Sequence, residues 1–397
     1  MVRKVLLWFV LLMVLGVNIN AEVFTKKYST IKYNLHLDKA LNVRSEFTFK
    51  DLGNLRDNQY GPMFEIYSVK EVEGDWHGRH QYIHHIFREN NIILNTPLKK
   101  GDYLIKLMAN GYYNKPFDFK LTKVSGHYEE EFNNNFKSAT LMQNKKFYTG
   151  FLQTNEMQDE DFYKITMQKN AELDLVFKVN QGCQKETRGY ENITLYKLNK
   201  DKPQEPTRLI SMANVNHDFR KSIGLKKGDY FVQIRSNFKC IYDKEYNIAY
   251  LESPSYHIEL EPNGTEALAT PIKIDSYYYS AKINNGYDEY MDYFTFDVDT
   301  DKEIVFAIKQ PNFTKGKRVD WFIKMYRKVN GKEEYVTQVG DLTYKKTEEN
   351  KVAQARVTLK KGKYYISVRA RDFSSGMGNT HSGSKYVEYG IALMEGN

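Results

Sequence analysis

The chain has 397 residues, 58 basic and 50 acidic side chains, and a formal net charge of +8. The two signs are interspersed, which argues against nucleic acid, whose binders carry a concentrated basic stripe. With 31 Tyr and 23 Phe against 9 Pro, the composition excludes a disordered chain and favours strands.

Residues 1–21 read as a secretory signal peptide: Arg3 and Lys4, an apolar run over residues 5–17, then Ile19-Asn20-Ala21 as a cleavage site. A membrane span needs about 20 apolar residues, more than this run offers, although an uncleaved anchor is the alternative. The mature protein is therefore expected outside the cell or on its surface, with no membrane span after signal cleavage.

One phrase then recurs three times: Leu98-Lys-Lys-Gly101-Asp-Tyr103, Leu225-Lys-Lys-Gly228-Asp-Tyr230 and Leu359-Lys-Lys-Gly362-Lys-Tyr364. In each, a turn whose Gly supplies a positive φ leads into a strand of β-branched and aromatic residues. The spacing is that of a domain rather than a solenoid unit. The expected organisation is all-β: three tandem antiparallel β-sandwiches of the jelly-roll kind after the signal peptide. They cover residues 22–125 (degenerate), 126–254 and 255–397.

Stretches such as Leu173-Asp-Leu-Val-Phe-Lys-Val179 alternate as half-buried strands do. In the third repeat, residues 293–298 match 162–167, residues 303–308 match 173–179, and the closing strand 388–393 matches 246–251. The first repeat keeps the phrase and a closing strand at 117–122 but lacks the acidic opening of the other two. Cys183 and Cys240 both fall in the middle repeat. A disulfide over those 57 residues would stabilise by about 4 kcal/mol on the chain-entropy estimate; two unpaired thiols are the alternative.

The acidic openings are Glu129-Glu-Glu131-Phe-Asn133-Asn134 and Glu259-Leu-Glu261-Pro-Asn263. Each is followed by acids at the entrance of an aromatic strand, Asp159 and Asp161 in one repeat, Asp288 and Asp292 in the other. Opening, acidic strand entrance, Leu-x-x-Gly-x-Tyr strand and closing strand, in that order and twice over, resemble the bacterial pre-peptidase C-terminal (PPC) domain, a family that includes the collagen-binding domains of clostridial collagenases. The resemblance covers roughly residues 127–396. It implies a β-sandwich that often serves as a non-catalytic appendage of secreted enzymes. Calcium-binding members hold the ion with the opening and the later aspartates. The positions matching that motif are Glu129, Glu131, Asn133, Asn134, Asp159 and Asp161, then Glu259, Glu261, Asn263, Asp288 and Asp292. Ca²⁺ takes six to eight oxygen ligands, which such segments offer. The family's Asp after Asn is replaced by Asn134 and Gly264, which lowers the charge. The alternative is a solvated acidic linker.

No catalytic set is visible, and the chain reads as a non-enzyme. His77, His80, His84 and His85 could offer a metal-binding face, but their place between strands, next to Gly78 and without Cys, favours a loop or edge-strand cluster. Collagen-binding members of the family use tyrosines near the closing end of the domain. Here alternation turns Tyr364, Ile366 and Val368 inward and Tyr365, Ser367 and Arg369 outward. Tyr365 and Arg369 are thus the candidate ligand contacts, and the arginine suits an anionic glycan or acidic protein better than collagen. The reading is a secreted binding protein for extracellular matrix, glycan or protein. Two others stand beside it: a ligand-free spacer or partner of a secreted hydrolase, and an enzyme with its site at a domain junction.

Overall fold

The computed structural model describes residues 18–21, 30–50, 61–69, 82–86, 90–108, 117–152, 159–179, 191–199, 202, 205–215, 217–236, 244–275, 277–284, 291–310, 319–336, 342–343, 351–372 and 386–396. Apart from a 3-10 turn at Glu266–Leu268, its elements are strands.

The first sandwich comprises β1 (Asn18–Ala21), β2 (Thr30–Leu37), β3 (Leu41–Phe49), β4 (Met63–Ser68), β5 (Tyr82–Ile86), β6 (Asn91–Leu98), β7 (Gly101–Met108) and β8 (Phe117–Val124). One sheet has the order β1-β8-β3-β6 and the other β2-β7-β4-β5. The second sandwich comprises β9 (Thr140–Leu141), β10 (Tyr148–Leu152), β11 (Glu160–Met167), β12 (Ala171–Val179), β13 (Glu191–Lys197), β14 (Thr207–Val215), β15 (Phe219–Leu225), β16 (Gly228–Ser236) and β17 (Lys244–Pro254). Its sheets run β10-β17-β12-β15 and β14-β13-β16-β11-β9. The third comprises β18 (Thr270–Pro271), β19 (Tyr279–Asn284), β20 (Asp292–Val298), β21 (Lys302–Gln310), β22 (Val319–Val329), β23 (Lys332–Tyr335), β24 (Leu342–Thr343), β25 (Lys351–Leu359), β26 (Gly362–Asp372) and β27 (Tyr386–Glu395). Its sheets run β19-β27-β21-β25 and β18-β20-β26-β22-β23, with β24 also on β22.

With the short parallel strands β9 and β18 left out, and β23 and β24 (both on β22) counted as one position, the order is 1-8-3-6 facing 2-7-4-5 in all three, the double Greek key of a jelly roll. The first sandwich, read from sequence as degenerate, has this topology in full among the described residues. Among the described residues it shows no counterpart of the short extra strand that β9 and β18 add, in parallel, to β11 and β20. Its edge strand β1 pairs with β8 from Asn18 to Ala21, on the leader side of the boundary expected after Ala21.

Strand alternation fills one core per sandwich. Phe47, Phe64 and Phe119 meet in the first, Leu173, Phe177 and Ile248 in the second, Phe294, Phe306 and Ile366 in the third. Each such side chain removed from water contributes roughly 1.5–3 kcal/mol.

The recurring phrase forms the β6–β7, β15–β16 and β25–β26 turns. Gly101, Gly228 and Gly362 have φ of +158°, +146° and +153°, and a Cβ on Gly228 would lie 2.1 Å from Lys197 Nζ. The phrase's tyrosine is buried each time and closes its own turn. Tyr103, Tyr230 and Tyr364 donate their hydroxyls to the carbonyls of Lys99, Lys226 and Lys360 at 2.9, 2.8 and 2.9 Å. The hydroxyl four residues downstream thus satisfies a turn carbonyl while the ring packs into the core, which explains why Leu-Lys-Lys-Gly-x-Tyr survives three times.

The acidic openings staple neighbouring sandwiches together. Glu129 N–H donates to Thr149 O of its own sandwich at 3.0 Å, and Glu131 N–H to Pro97 O of the preceding one at 2.9 Å. At the next junction Glu259 N–H donates to Ser280 O at 2.9 Å and Glu261 N–H to Gly224 O at 2.8 Å. Lys99 Nζ donates to Ser138 O at 2.8 Å, and Lys226 Nζ to Pro262 O at 2.5 Å and to Leu268 O. The phrase of one sandwich is therefore the socket for the opening of the next.

Candidate metal centres at the domain junctions

Each acidic opening turns two glutamates and an asparagine inward against the entrance of the aromatic strand. In the second sandwich Glu129, Glu131, Asn133 and Asp161 are buried, and in the third Glu259, Glu261, Asn263 and Asp292 are. One carboxylate oxygen from each of Glu129, Glu131 and Asp161 lies within 4.8 Å of the others, and the same holds for Glu259, Glu261 and Asp292. Among the described residues these are the two groups of three metal-ligating side chains.

The backbone around both clusters is the same. Phe162 N–H donates to Asn133 O and Tyr293 N–H to Asn263 O, both at 3.0 Å. Thr140 Oγ1 accepts from Glu130 N–H at 2.8 Å, and Thr270 Oγ1 from Leu260 N–H at 2.9 Å. A tyrosine of the closing strand caps each aspartate: Tyr246 donates to Asp161 Oδ2, and Tyr389 to Asp292 Oδ2, both at 2.6 Å. These tyrosines and threonines were not singled out from sequence. Matching residues 388–393 to 246–251 is one residue out of register. Phe177 and Ile308 are equivalent in the sheets and pair with Ile248 and Ile391, so Tyr246 corresponds to Tyr389.

Three carboxylates this close and this dry cannot all ionise unaided. Burial, then the negative charges of Asp161, Glu131 and Asp159, holds the Glu129 carboxyl well above the ordinary carboxylate range. Burial likewise pushes Asp161 up to about 7, against the opposing hydrogen bond from Tyr246. Tyr163, Tyr246 and Tyr389 are driven well up by burial and by these carboxylates. No ion pair is recorded for Glu129 or Asp161 among the described residues.

A cation resolves this, and the donor atoms fit one. Asn263 Oδ1 is fully buried and has no hydrogen-bond partner, while its Nδ2 donates to Glu259 Oε2 at 3.3 Å. Asn133 Oδ1 faces Glu131 Oε2 and Asp161 Oδ1 at about 3.3 Å. Without an ion, an inverted amide would donate to both oxygens; with one, the present orientation adds an amide oxygen to the carboxylates. An all-oxygen set without Cys or His suits a hard cation, and its number and mixed kinds of oxygen suit Ca²⁺.

The other residues matched to the motif fall outside these clusters. Asn134 is exposed, and Asp159 is half-buried and acts on Glu129 through its charge rather than as a member of the group. Asp288, Cys183, Cys240, His77 and His80 lie outside the described residues, and of His84 and His85 only the backbone, in β5, is described.

Tyr365 and Arg369 lie where alternation puts them. Tyr364, Ile366 and Val368 join the third core, Tyr365 is half-buried on the opposite face, and Arg369 is exposed. Ser367, expected outward, is instead covered by neighbours on that face. There Met291, Tyr293, Phe322, Tyr326, Tyr335 and Arg369 surround a shallow cleft of about 260 Å³. Tyr365 stacks on Tyr326 at 5.8 Å, and Lys363 Nζ sits 5.6 Å over the Tyr365 ring. Alternation on β26 located this face; the contributions of β20, β22 and β23 required the sheet.

A second cavity, of about 220 Å³, opens at the junction of the second and third sandwiches. Arg208, Lys221 and Tyr256 line it together with Glu259, Glu261 and Asp292. Glu172, His257 and Glu388 line it as well, so the cavity brings solvent and further titratable side chains up to the third sandwich's carboxylate cluster. No helix among the described residues is long and apolar enough to cross a membrane.

No protein-family model matches the chain, and no curated protein matches it. Solved structures give distant matches. The CUB1-EGF-CUB2 domain of human MASP-1/3 is 10% identical at a TM-score of 0.18, over 60% of this chain and 99% of that one. The CBM22 tandem domain from Paenibacillus barcinonensis is 7% identical at 0.17, over 60% and 97%. A chain of Sulfolobus Turreted Icosahedral Virus is 9% identical at 0.23, over 96% and 90%. At these scores the likenesses bear on neither ligand nor activity.

Proposed function

We propose that this chain is a secreted or surface-held, non-enzymatic binding protein built of PPC-like sandwiches, with calcium stabilising the second and third and a ligand face on the third. Glu129, Glu131, Asn133 and Asp161 would hold one ion, and Glu259, Glu261, Asn263 and Asp292 the other. The ion would neutralise carboxylates that burial otherwise disfavours, and so fix the opening against its sandwich.

The observation that carries the binding role is the outer face of β20, β26, β22 and β23. Phe322 and Tyr335 are 36% and 49% exposed there, beside Tyr293, Tyr326 and Tyr365. Tyr293 and Tyr365 are half-buried and Tyr326 is buried beneath them, so the two exposed rings sit on an aromatic bed, as an interaction surface does. Arg369 has no recorded ion pair among the described residues, so its guanidinium is available to a sulfate or carboxylate through charge-assisted hydrogen bonds. Stacking rings plus a guanidinium suit an anionic glycan of the extracellular matrix.

The test is binding of the mature protein to immobilised sulfated and desulfated glycans. The Tyr365→Ala, Arg369→Ala double variant is expected to lose at least about tenfold in affinity for the sulfated form, along with the salt dependence. Parental binding by that variant at low salt would place the ligand site elsewhere.

A further inference from the structure

The socket formed by the recurring phrase is filled twice and open once. At the first junction Pro97 is buried and Lys99 half-buried; at the second, Gly224 is buried and Lys226 half-buried. Their equivalents in the third sandwich, Thr358 and Lys360, are both exposed. The cause is the docked opening, which lies against the end of β6 at Leu98 and of β15 at Leu225 through parallel bridges to Glu131 and Glu261. Among the described residues no bridge of this kind reaches Leu359.

The hydrogen bonds record the same difference. At the filled second socket Lys226 N–H donates to Glu261 O at 3.3 Å, and Tyr230 Oη reaches the same carbonyl at 3.4 Å. At the third, Lys360 N–H turns back to its own tyrosine and donates to Tyr364 Oη at 3.1 Å. The tyrosine hydroxyl stands in for the incoming carbonyl. Among the described residues the strand carrying the socket, β25, pairs with β21 and lies at the edge of its sheet, the position at which an added segment can dock.

We propose that the β25–β26 turn of the third sandwich is a docking socket for an extended acidic segment of the Glu-x-Glu-x-Asn kind carried by a partner β-sandwich protein. The occupant's chemistry follows from the two filled sockets. It needs a backbone N–H aimed at the Thr358 carbonyl, a carbonyl aimed at the Lys360 amide, and carbonyls within reach of Lys360 Nζ. Acidic side chains on the segment complement Lys360 and Lys361. The chain's own two openings are committed to their junctions, which favours a partner over a second copy. This proposal is independent of the cation and of the aromatic face.

The test uses the full chain and a labelled synthetic peptide of residues 256–266, the chain's own second opening. Saturable binding is expected, with slowed amide exchange at the Thr358–Lys360 end of β25. Lys360→Ala, an exposed change that leaves the fold intact by melting, should weaken binding by at least about fivefold, the size of one net hydrogen bond. N-methylation of the peptide at the Glu261 position, which removes the N–H corresponding to the one donated to Gly224 O, should abolish it. No saturation at millimolar peptide, indifference to N-methylation, or indifference to Lys360→Ala would each overturn the proposal. Self-association of the full chain that Lys360→Ala abolishes would assign the socket to a second copy and overturn the partner.

Discussion

The two carboxylate clusters share their four ligating positions and their capping tyrosine, but they differ in how well the protein satisfies them unaided. In the second sandwich Glu129 accepts from Phe151 N–H at 2.6 Å, and Tyr246 shares a 2.8 Å hydrogen bond with Tyr163 while donating to Asp161. In the third, Phe294 stands where Tyr163 does, so that position offers no hydroxyl to Tyr389, while the amide oxygens of Asn133 and Asn263 alike go without a donor. The second cluster thus has one hydroxyl more among its buried carboxylates than the third, and the proposed ion would matter more to the third. Matching carboxylates therefore do not imply matching dependence on the proposed ion, because the surrounding donors decide how costly the buried charges are.

The largest effect expected from this comparison is on pH dependence in chelator. The native carboxyl of Asp161 is raised to about 7, whereas an unfolded Asp titrates near ~3.9. A raised native value means the folded state binds the proton more tightly. That stabilisation is complete below pH ~4 and is lost as pH rises through about 7, an effect on the order of 4 kcal/mol at full extent. The chelated second sandwich should thus melt lower at pH 8 than at pH 5. With calcium the order should invert, since the ion requires the carboxylates ionised. Calorimetry at the two pH values, with and without calcium, checks both signs.

Next in size is Asp292→Asn, which keeps an acceptor for Tyr389 but removes a ligand charge. At calcium concentrations a hundredfold above the dissociation constant, an ion contributes about 2.7 kcal/mol, and the variant should lose most of it. In chelator the same change should be neutral or stabilising, because it removes one of three crowded buried carboxylates. Asp161→Asn should show the smaller calcium-dependent loss of the two. Equal losses would erase the distinction between the clusters.

The smallest effect would convert one cluster toward the other. Phe294 and Tyr389 rings lie 6.4 Å apart at 89°, and Tyr163 and Tyr246 lie 6.4 Å apart at 81°. Phe294→Tyr should therefore place a hydroxyl within reach of Tyr389. It is expected to stabilise the chelated third sandwich by about 1 kcal/mol and to shrink its gain from calcium by the same amount. A destabilised variant in chelator would show that the two clusters differ in packing and not only in donors.

Much of this architecture is local and was legible in the chain. Strand alternation placed Tyr364, Ile366 and Val368 in the core, and the turn phrase repeated because one glycine conformation and one tyrosine-to-carbonyl bond are built within six residues. Glu129, Glu131 and Asn133 stand close in sequence, and Asp161 follows its opening at nearly the spacing by which Asp292 follows its own, one residue shorter. The capping tyrosines were not legible, since Tyr246 is 85 residues from Asp161, and a one-residue offset in matching the closing strands turned Tyr389 into Glu388.

The all-β class, the repeat organisation and the places of the acidic openings follow from the chain alone, because each depends on neighbours a few residues apart. Only the tertiary structure decided that those openings dock on the preceding sandwich, that their carboxylates are buried, and that the third socket is uncovered. Each of these depends on a strand edge meeting a segment from another domain. Whether a backbone amide there is paired or exposed is a property of the assembled sheet, not of the residues that carry it.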